Sequence, residues 1–326
     1  RDFYFQSSIP TAYVSYDVTI PEYFRYQKNT VGYERINSQI NDVNETFSIK
    51  VDRGMETVRC IAERSIFHGE NIPAMKEEGF LWTKEDYISK ITYELQSIQF
   101  PMSMATNYST TWDNIDKELR EAGRFGGELK KKGMFKDDIT PGDMTLERAR
   151  EIQNFIKGKV KWNDKTALYA RNLKDALKNG IGSSAEMNFL LINALKAGNF
   201  DAFPVVLSTR SNGRLPIGRP SAGAFNYVIT AVRIDTVVYY ADASSEYGDW
   251  NILPQKVMVS QARILEDKWA DWVDLSTLTT GRKVVMGEIS FKDNAVEKKI
   301  TEAYRDEYAL DFRNHYYKNH KDRNEY

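Results

Sequence analysis

Gly180-Ile-Gly-Ser-Ser-Ala-Glu-Met-Asn-Phe-Leu-Leu-Ile-Asn-Ala-Leu-Lys-Ala-Gly198 decides how this chain is read. Ser183 followed three residues later by Glu186 is a capping-box pattern, so a helix is predicted to start here. Met187, Leu190, Leu191, Ala194 and Leu195 supply its buried face, and its apolar content marks it as a central helix. Residues 203–210, 224–234 and 237–243 follow as β-branched and aromatic runs, the last two separated by Asp235-Thr236 as in a tight hairpin. Helices followed by a run of strands, rather than alternating units, indicate an α+β fold.

Upstream, residues 145–156 form an amphipathic helix with Leu146, Ala149, Ile152 and Ile156 on one face. Residues 111–119 and 168–177 are also predicted as helices, the latter ended by Asn179-Gly180. Before them the pattern is strand-like, over residues 12–20, 45–51, 56–62 and 87–98, with turn residues between. This predicts an antiparallel β-sandwich. The expected organisation is an N-terminal antiparallel β domain over 1–108, a helix-and-sheet core over 109–255, and a partial C-terminal element with a polar tail over 256–326. Within the last stretch, 282–291 is expected as a strand or hairpin and 293–316 as a charged helix.

Composition removes several function classes. Lys and Arg number 45 against 46 Asp and Glu, so the chain lacks the basic field of a general nucleic-acid binder. Cys60 is the single cysteine, which excludes an internal disulfide and a cysteine-rich zinc site. It reads as a small buried hydrophobe. The histidines are His68, His315 and His320, too scattered for a metal site, and neither a metal nor a cofactor is expected. No run approaches the roughly 18 apolar residues that cross a bilayer. The chain opens Arg1-Asp2-Phe3, without an initiator Met or apolar leader, and reads as a mature or trimmed chain. Glycine-rich phosphate loops, G-x-S-x-G and H-E-x-x-H are missing.

A glycine-rich turn entering a buried helix puts the helix's first residues at the positive end of its dipole, where a nucleophilic thiolate is favoured. A base on a neighbouring strand, oriented by a carboxylate on the next, would complete such a site. On these residues the chain resembles the transglutaminase-like superfamily, in the bacteroidete branch where an N-terminal β domain of unknown function precedes a papain-like core. Gly182-Ser183-Ser184-Ala185-Glu186 is similar to the family's G-[DS]-C-x-[DE]. Phe225-Asn226-Tyr227-Val228-Ile229 is similar to F-N-H-[VA]-I, and Tyr240-Ala241-Asp242-Ala243 to [YL]-L-D-[AP]-T. Ile20-Pro-Glu-Tyr-Phe24, Asn71-Ile-Pro-Ala-Met-Lys-Glu-Glu78 and Glu85-Asp-Tyr87 are similar to the preceding domain, so the resemblance spans roughly residues 1 to 270.

Carried over position by position, the resemblance puts Ser184 where the family has Cys, Tyr227 where it has His, and retains Asp242. A serine hydroxyl needs a base to attack, and a phenol is a poor proton acceptor at neutral pH. The resemblance therefore implies a catalytically inactive protein with a degenerate triad. Its expected role is a binding or scaffold module for a peptide, glycan or protein partner, in the periplasm or at the cell surface. The alternative is an active hydrolase or acyl transferase using Ser184. Arg210, Arg214 and Arg219, in the long polar loop beside the Tyr227 strand, and Asn226 are the candidate binding residues. Trp250, Trp269 and Trp272 would suit sugar stacking if exposed in a row, and otherwise are expected to pack the domain junction.

Overall fold

Alternating apolar side chains in the first hundred residues are realised, in a computed structural model, as two antiparallel sheets. The structure describes residues 2–51, 54–79, 81–101, 103–108, 111–218, 220–292 and 295–319. The chain divides into two compact units, one of Arg1–Ile115 with Ser211–Ala222, the other of Asp116–Arg210 with Gly223–Tyr326.

In the first unit, β1 (Asp2–Tyr4), β2 (Thr11–Pro21), β3 (Phe24–Val31), β4 (Asn37–Val51), β5 (Gly54–Ile72), β6 (Lys90–Ile98) and β7 (Thr106–Asn107) follow in order. One sheet runs β1-β6-β3, with β7 also on β6. The other runs β2-β5-β4. Phe5, Phe67, Ile72, Ile91 and Tyr93 form an apolar cluster, against which Phe3 and Tyr16 pack with ring centroids 4.2 Å apart. The two rings come from different sheets, so this cluster is shared between them. Cys60 is buried on β5, where desolvation and the charges of Glu22 and Glu45 push its thiol pKa up. The loop 211–222 is anchored in this unit: the Arg214 N–H donates to Asp86 Oδ1 at 2.8 Å, and Trp112 Nε1 donates to the Ile217 carbonyl at 2.9 Å.

After α1 (Trp112–Glu121), the second unit follows with α2 (Leu146–Lys159), β8 (Lys161–Trp162), α3 (Leu173–Asn179), β9 (Ile181–Gly182) and α4 (Ser184–Ala197). Its sheet comprises β10 (Asp201–Leu207), β11 (Tyr227–Ile234), β12 (Val237–Ala241), β13 (Ala262–Leu265) and β14 (Ala270–Val273), ordered β12-β11-β10-β13-β14 and antiparallel throughout. Helix α4 packs on β10 and β11 with α2 against it, and every residue from Ser184 to Leu195 is buried. Both units together make a mixed α/β architecture with antiparallel sheets, as an α+β reading requires. Asp235 takes φ 53°, which lets the two-residue turn between β11 and β12 close. Among the described residues, no helix is long and apolar enough to cross a membrane.

Two expected helices need correction. Residues 168–172 are not helical, and α3 begins only at Leu173, with the Asn172 side chain capping the Lys174 N–H at 3.0 Å. The N–H groups of Arg171 and Asn172 are directed instead to the Glu186 carboxylate, at 3.0 and 3.3 Å. Downstream, β15 (Arg282–Lys292) and β16 (Ala295–Arg305) pair along their whole length, so residues 295–305 of the stretch expected as a charged helix are strand, and the helix covers only its later part. Helix formers such as Glu297, Lys298 and Lys299 yield to a partner strand in register. The helix, α5 (Glu307–Asn319), starts after Asp306 turns the chain at φ 52°.

A buried ion pair ties α1 to the sheet. Arg263 on β13 donates from Nε and Nη2 to both Asp116 oxygens, at 2.8 and 2.6 Å, with both residues nearly inaccessible to water. Removing one partner leaves an uncompensated buried charge. Arg263→Ala is expected to cost about 3–5 kcal/mol, and Arg263→Met with Asp116→Leu much less, as measured by urea unfolding.

Candidate functional site

The start of α4 is fixed by the predicted capping box. The Glu186 N–H donates to Ser183 Oγ at 3.4 Å, and Glu186 Oε2 accepts from the Ser183 N–H at 2.7 Å and its hydroxyl at 2.9 Å. Burial alone would raise the Glu186 pKa, but the bonds from Ser183, Arg171 and Asn172 outweigh it and hold the carboxyl below its ordinary value. Ser184 is thereby placed in the first turn, fully buried. Its Oγ accepts from the Ala167 N–H at 2.9 Å and donates to the Ala167 carbonyl at 3.3 Å.

Tyr227 opens β11 and Asp242 follows β12, so the hairpin brings them together. The Tyr227 hydroxyl donates to Asp242 Oδ2 at 2.9 Å and lies 2.8 Å from Ser244 Oγ. Desolvation first, and the Asp242 charge second, push the phenol well above its ordinary pKa. The hydroxyls of Ser244 and Ser184 act the other way. Asp242 is 2% exposed, and its Oδ1 accepts from Asn188 Nδ2 at 3.1 Å, the Ser244 N–H at 3.0 Å and Ser244 Oγ at 2.8 Å. Asn188 reaches this carboxylate from one turn along α4, donating also to the Ser184 carbonyl at 3.0 Å. Its Oδ1 accepts from the Ala243 N–H at 3.0 Å and Thr230 Oγ1 at 3.1 Å.

Two amines that no motif pointed to complete the surroundings. Lys256 places Nζ 4.0 Å from Asp242 Oδ2, over the rings of Trp162 at 4.3 Å and Tyr227 at 4.8 Å. Desolvation lowers its pKa against the pull of Asp242 and Asp164. Lys157 donates to the Gly248 carbonyl at 2.6 Å, and desolvation lowers its pKa to about 8 in spite of Asp242, Asp249 and Glu246. Asn188 and Ser244 were also missed. Asn188 lies four residues after Ser184 and so on the same helix face, a spacing that could have found it; Lys256 follows an irregular segment and leaves no such signal.

Asn226 links the ends of its loop, accepting from the Thr209 N–H at 2.8 Å and donating to Thr209 Oγ1 at 2.9 Å. Arg214 lies 3.6 Å from Asp86 Oδ2 and 5.6 Å from the Trp82 ring centroid, within the first unit. Arg210 starts a 3-10 turn, Arg210–Asn212, and Arg219 lies outside the described residues. Of the tryptophans weighed for stacking, Trp250 is buried, Trp272 partly buried and Trp269 half exposed, so they form no exposed row. Among the described residues no group of three or more His, Cys, Asp or Glu could hold a metal ion.

No family model matches the chain, and neither does any curated protein. Among solved structures it is similar to "a putative protease" from Parabacteroides distasonis, at TM-score 0.50 and 13% identity, over 84% of this chain and 47% of that one. The chain thus spans about half the length of that neighbour. "A putative cysteine protease" from Cytophaga hutchinsonii aligns at TM-score 0.26 and 10% identity, over 93% of this chain and 92% of that one. At these identities the first likeness concerns the fold alone, and the second superposition is too poor to argue from.

Two outcomes follow from the geometry. Tyr227→Phe removes a hydrogen bond to Asp242 Oδ2 and is expected to cost about 1–3 kcal/mol, measured by chemical denaturation. Lys157 titrates lower in the folded protein than in the unfolded chain, so the unfolded chain binds more protons between about pH 8 and its ordinary lysine value. The melting temperature of the wild type should therefore gain on that of Lys157→Met as pH rises from about 8 to about 10. A difference that stays flat across that window would contradict the assignment.

Proposed function

We propose that this chain is a non-catalytic protein of transglutaminase-like type. In this reading an antiparallel β-sandwich precedes a papain-like core, and the nucleophile and base positions hold Ser184 and Tyr227. The module serves binding or scaffolding toward a peptide, glycan or protein partner, in the periplasm or at the cell surface. The observation that carries the reading is the closure of the site. The Ser184 hydroxyl is fully buried and bonded in both directions to the Ala167 backbone. Acyl transfer needs a nucleophile that meets the carbonyl and a base that takes its proton.

The base is the second difficulty. No histidine lies on α4, β11 or β12; His68 is on β5 and His315 on α5. Tyr227 already donates its proton to Asp242, and its raised pKa keeps that proton in place at neutral pH. A carboxylate in a triad orients and stabilises an imidazolium, and Asp242 instead meets a phenol. A helix dipole, worth about 1 kcal/mol, does not bring a serine hydroxyl near neutral acidity. The protease descriptions belong to the two neighbouring structures, and what supports a non-catalytic role here is the chemistry of these residues.

Activity-based labelling tests this. A fluorophosphonate is expected to leave the wild-type protein unlabelled, and peptide and amide substrates to be untouched. Labelling that disappears in Ser184→Ala would establish an activated serine and favour the hydrolase or transferase alternative.

A further inference from the structure

The other end of α4 is open where the Ser184 end is closed. A concave surface of about 880 Å³ lies there, within the size range of small-molecule sites. Its apolar wall includes Phe125 and Phe200, and its mouth carries the turn between β13 and β14. That turn is pinned. The Glu266 N–H donates to the Trp269 carbonyl at 2.9 Å, and Arg120 donates from Nε to the Glu266 carbonyl and from Nη2 to the Trp269 carbonyl, both at 2.8 Å. The pinning holds the Trp269 backbone at the rim with 49% of the residue exposed.

The charges around this surface do not balance. Lys130 and Lys132 share one segment, Lys196 lies on α4 and Lys268 in the turn between β13 and β14, and none has an ion-pair partner within 4 Å among the described residues. Of the acids, Asp201 and Glu266 are both held by Arg233, leaving Asp267. Lys196 is partly withdrawn from water, and desolvation lowers its pKa even with Asp267 and Asp201 nearby. Several cations set apart from one another suit separate negative charges better than one bidentate carboxylate, for which arginine would serve. An exposed indole beside them offers a flat apolar face.

We propose that this concave surface binds a small organic anion that combines a flat ring, stacked on Trp269, with at least two negative charges met by Lys130, Lys132, Lys196 and Lys268. The site gives the binding reading a ligand class. It sits at the opposite end of α4 from Ser184, so its occupancy is independent of whether that serine is inert.

Calorimetric titration of the full chain at low salt tests the assignment with four probes: ATP, trigalacturonate, pyrophosphate and neutral maltotriose. At least one of ATP and trigalacturonate is expected to bind with Kd below about 1 mM. Their relative affinity tells a nucleotide from an acidic sugar. Pyrophosphate should bind at least about tenfold more weakly, and maltotriose not at all. Lys196→Gln with Lys268→Gln should weaken the ring anion about tenfold or more, as should Trp269→Ala and, at exposed positions, Lys130→Gln with Lys132→Gln. Ser184→Ala should bind as the wild type does. The absence of saturable binding of both ring anions up to about 10 mM, or affinity undiminished in the lysine or Trp269 variants, overturns the proposal. Neither result bears on fluorophosphonate labelling, which tests the non-catalytic reading separately.

Discussion

A carboxylate withdrawn from water has room for about four donors and is costly unless they are supplied. Asp242 meets four, from Asn188, the Ser244 N–H, Ser244 Oγ and Tyr227, with the Lys256 ammonium just beyond hydrogen-bond range. Each donor comes from an element that must then stay put: Asn188 from α4, Tyr227 from β11, and Ser244 from the turn that leaves β12. Asn188 extends the linkage by accepting from Thr230 and Ala243, so one amide joins the helix to two neighbouring segments of the sheet. Helix α4 is apolar over much of its surface and could slide or rotate at small cost. The polar network is what gives it a register, since a shift of one residue would strand Asn188 and Asp242 unpaired.

The same requirement explains an irregular segment nearby. Glu186 is the second buried carboxylate at the start of α4, and the helix supplies only part of its bonding. The rest comes from the N–H groups of Arg171 and Asn172, which helps place the start of α3 at Leu173. Residues 165–167 are drawn in likewise, through the Ser184 N–H to the Lys165 carbonyl and the Ser184 hydroxyl to Ala167. Two carboxylates and one hydroxyl thus order the approach to α4, and the helix dipole favours both acids at this end.

What could be read from the sequence was local or short-range. The capping box spans three residues and is a property of the helix itself, and the β11–β12 hairpin needs only a two-residue turn, so the convergence of Tyr227 and Asp242 was accessible. Where distant partners decide, the reading failed. Residues 295–305 have the composition of a helix but pair with β15, and residues 168–172 lose helical bonding to a glutamate fourteen or more positions later in the chain. Lys256 and Trp162 stack across almost a hundred residues of sequence, and Arg214 and Asn226, close in sequence, are used separately. A loop rich in arginine is a composition, and composition does not say which carboxylate or ring each guanidinium will find.

Desolvation separates the two ends of α4 chemically. At the N-terminal end every strong polar group has found a protein partner, so a ligand entering there would have to break bonds among Asp242, Tyr227 and Asn188 before making its own. At the C-terminal end the lysine ammoniums have no ion-pair partner within 4 Å among the described residues, so an incoming anion can meet them without dismantling the fold. The meeting is most favourable at Lys196, where burial has already removed part of the solvent. Lysine suits such a place, because its flexible stem lets the ammonium follow a ligand while the Arg120-pinned turn holds the Trp269 backbone. Glu186 on the helix and Asp242 beside it are thus committed to holding position, and it is at the opposite, lysine-lined end that binding can occur without loss of structure.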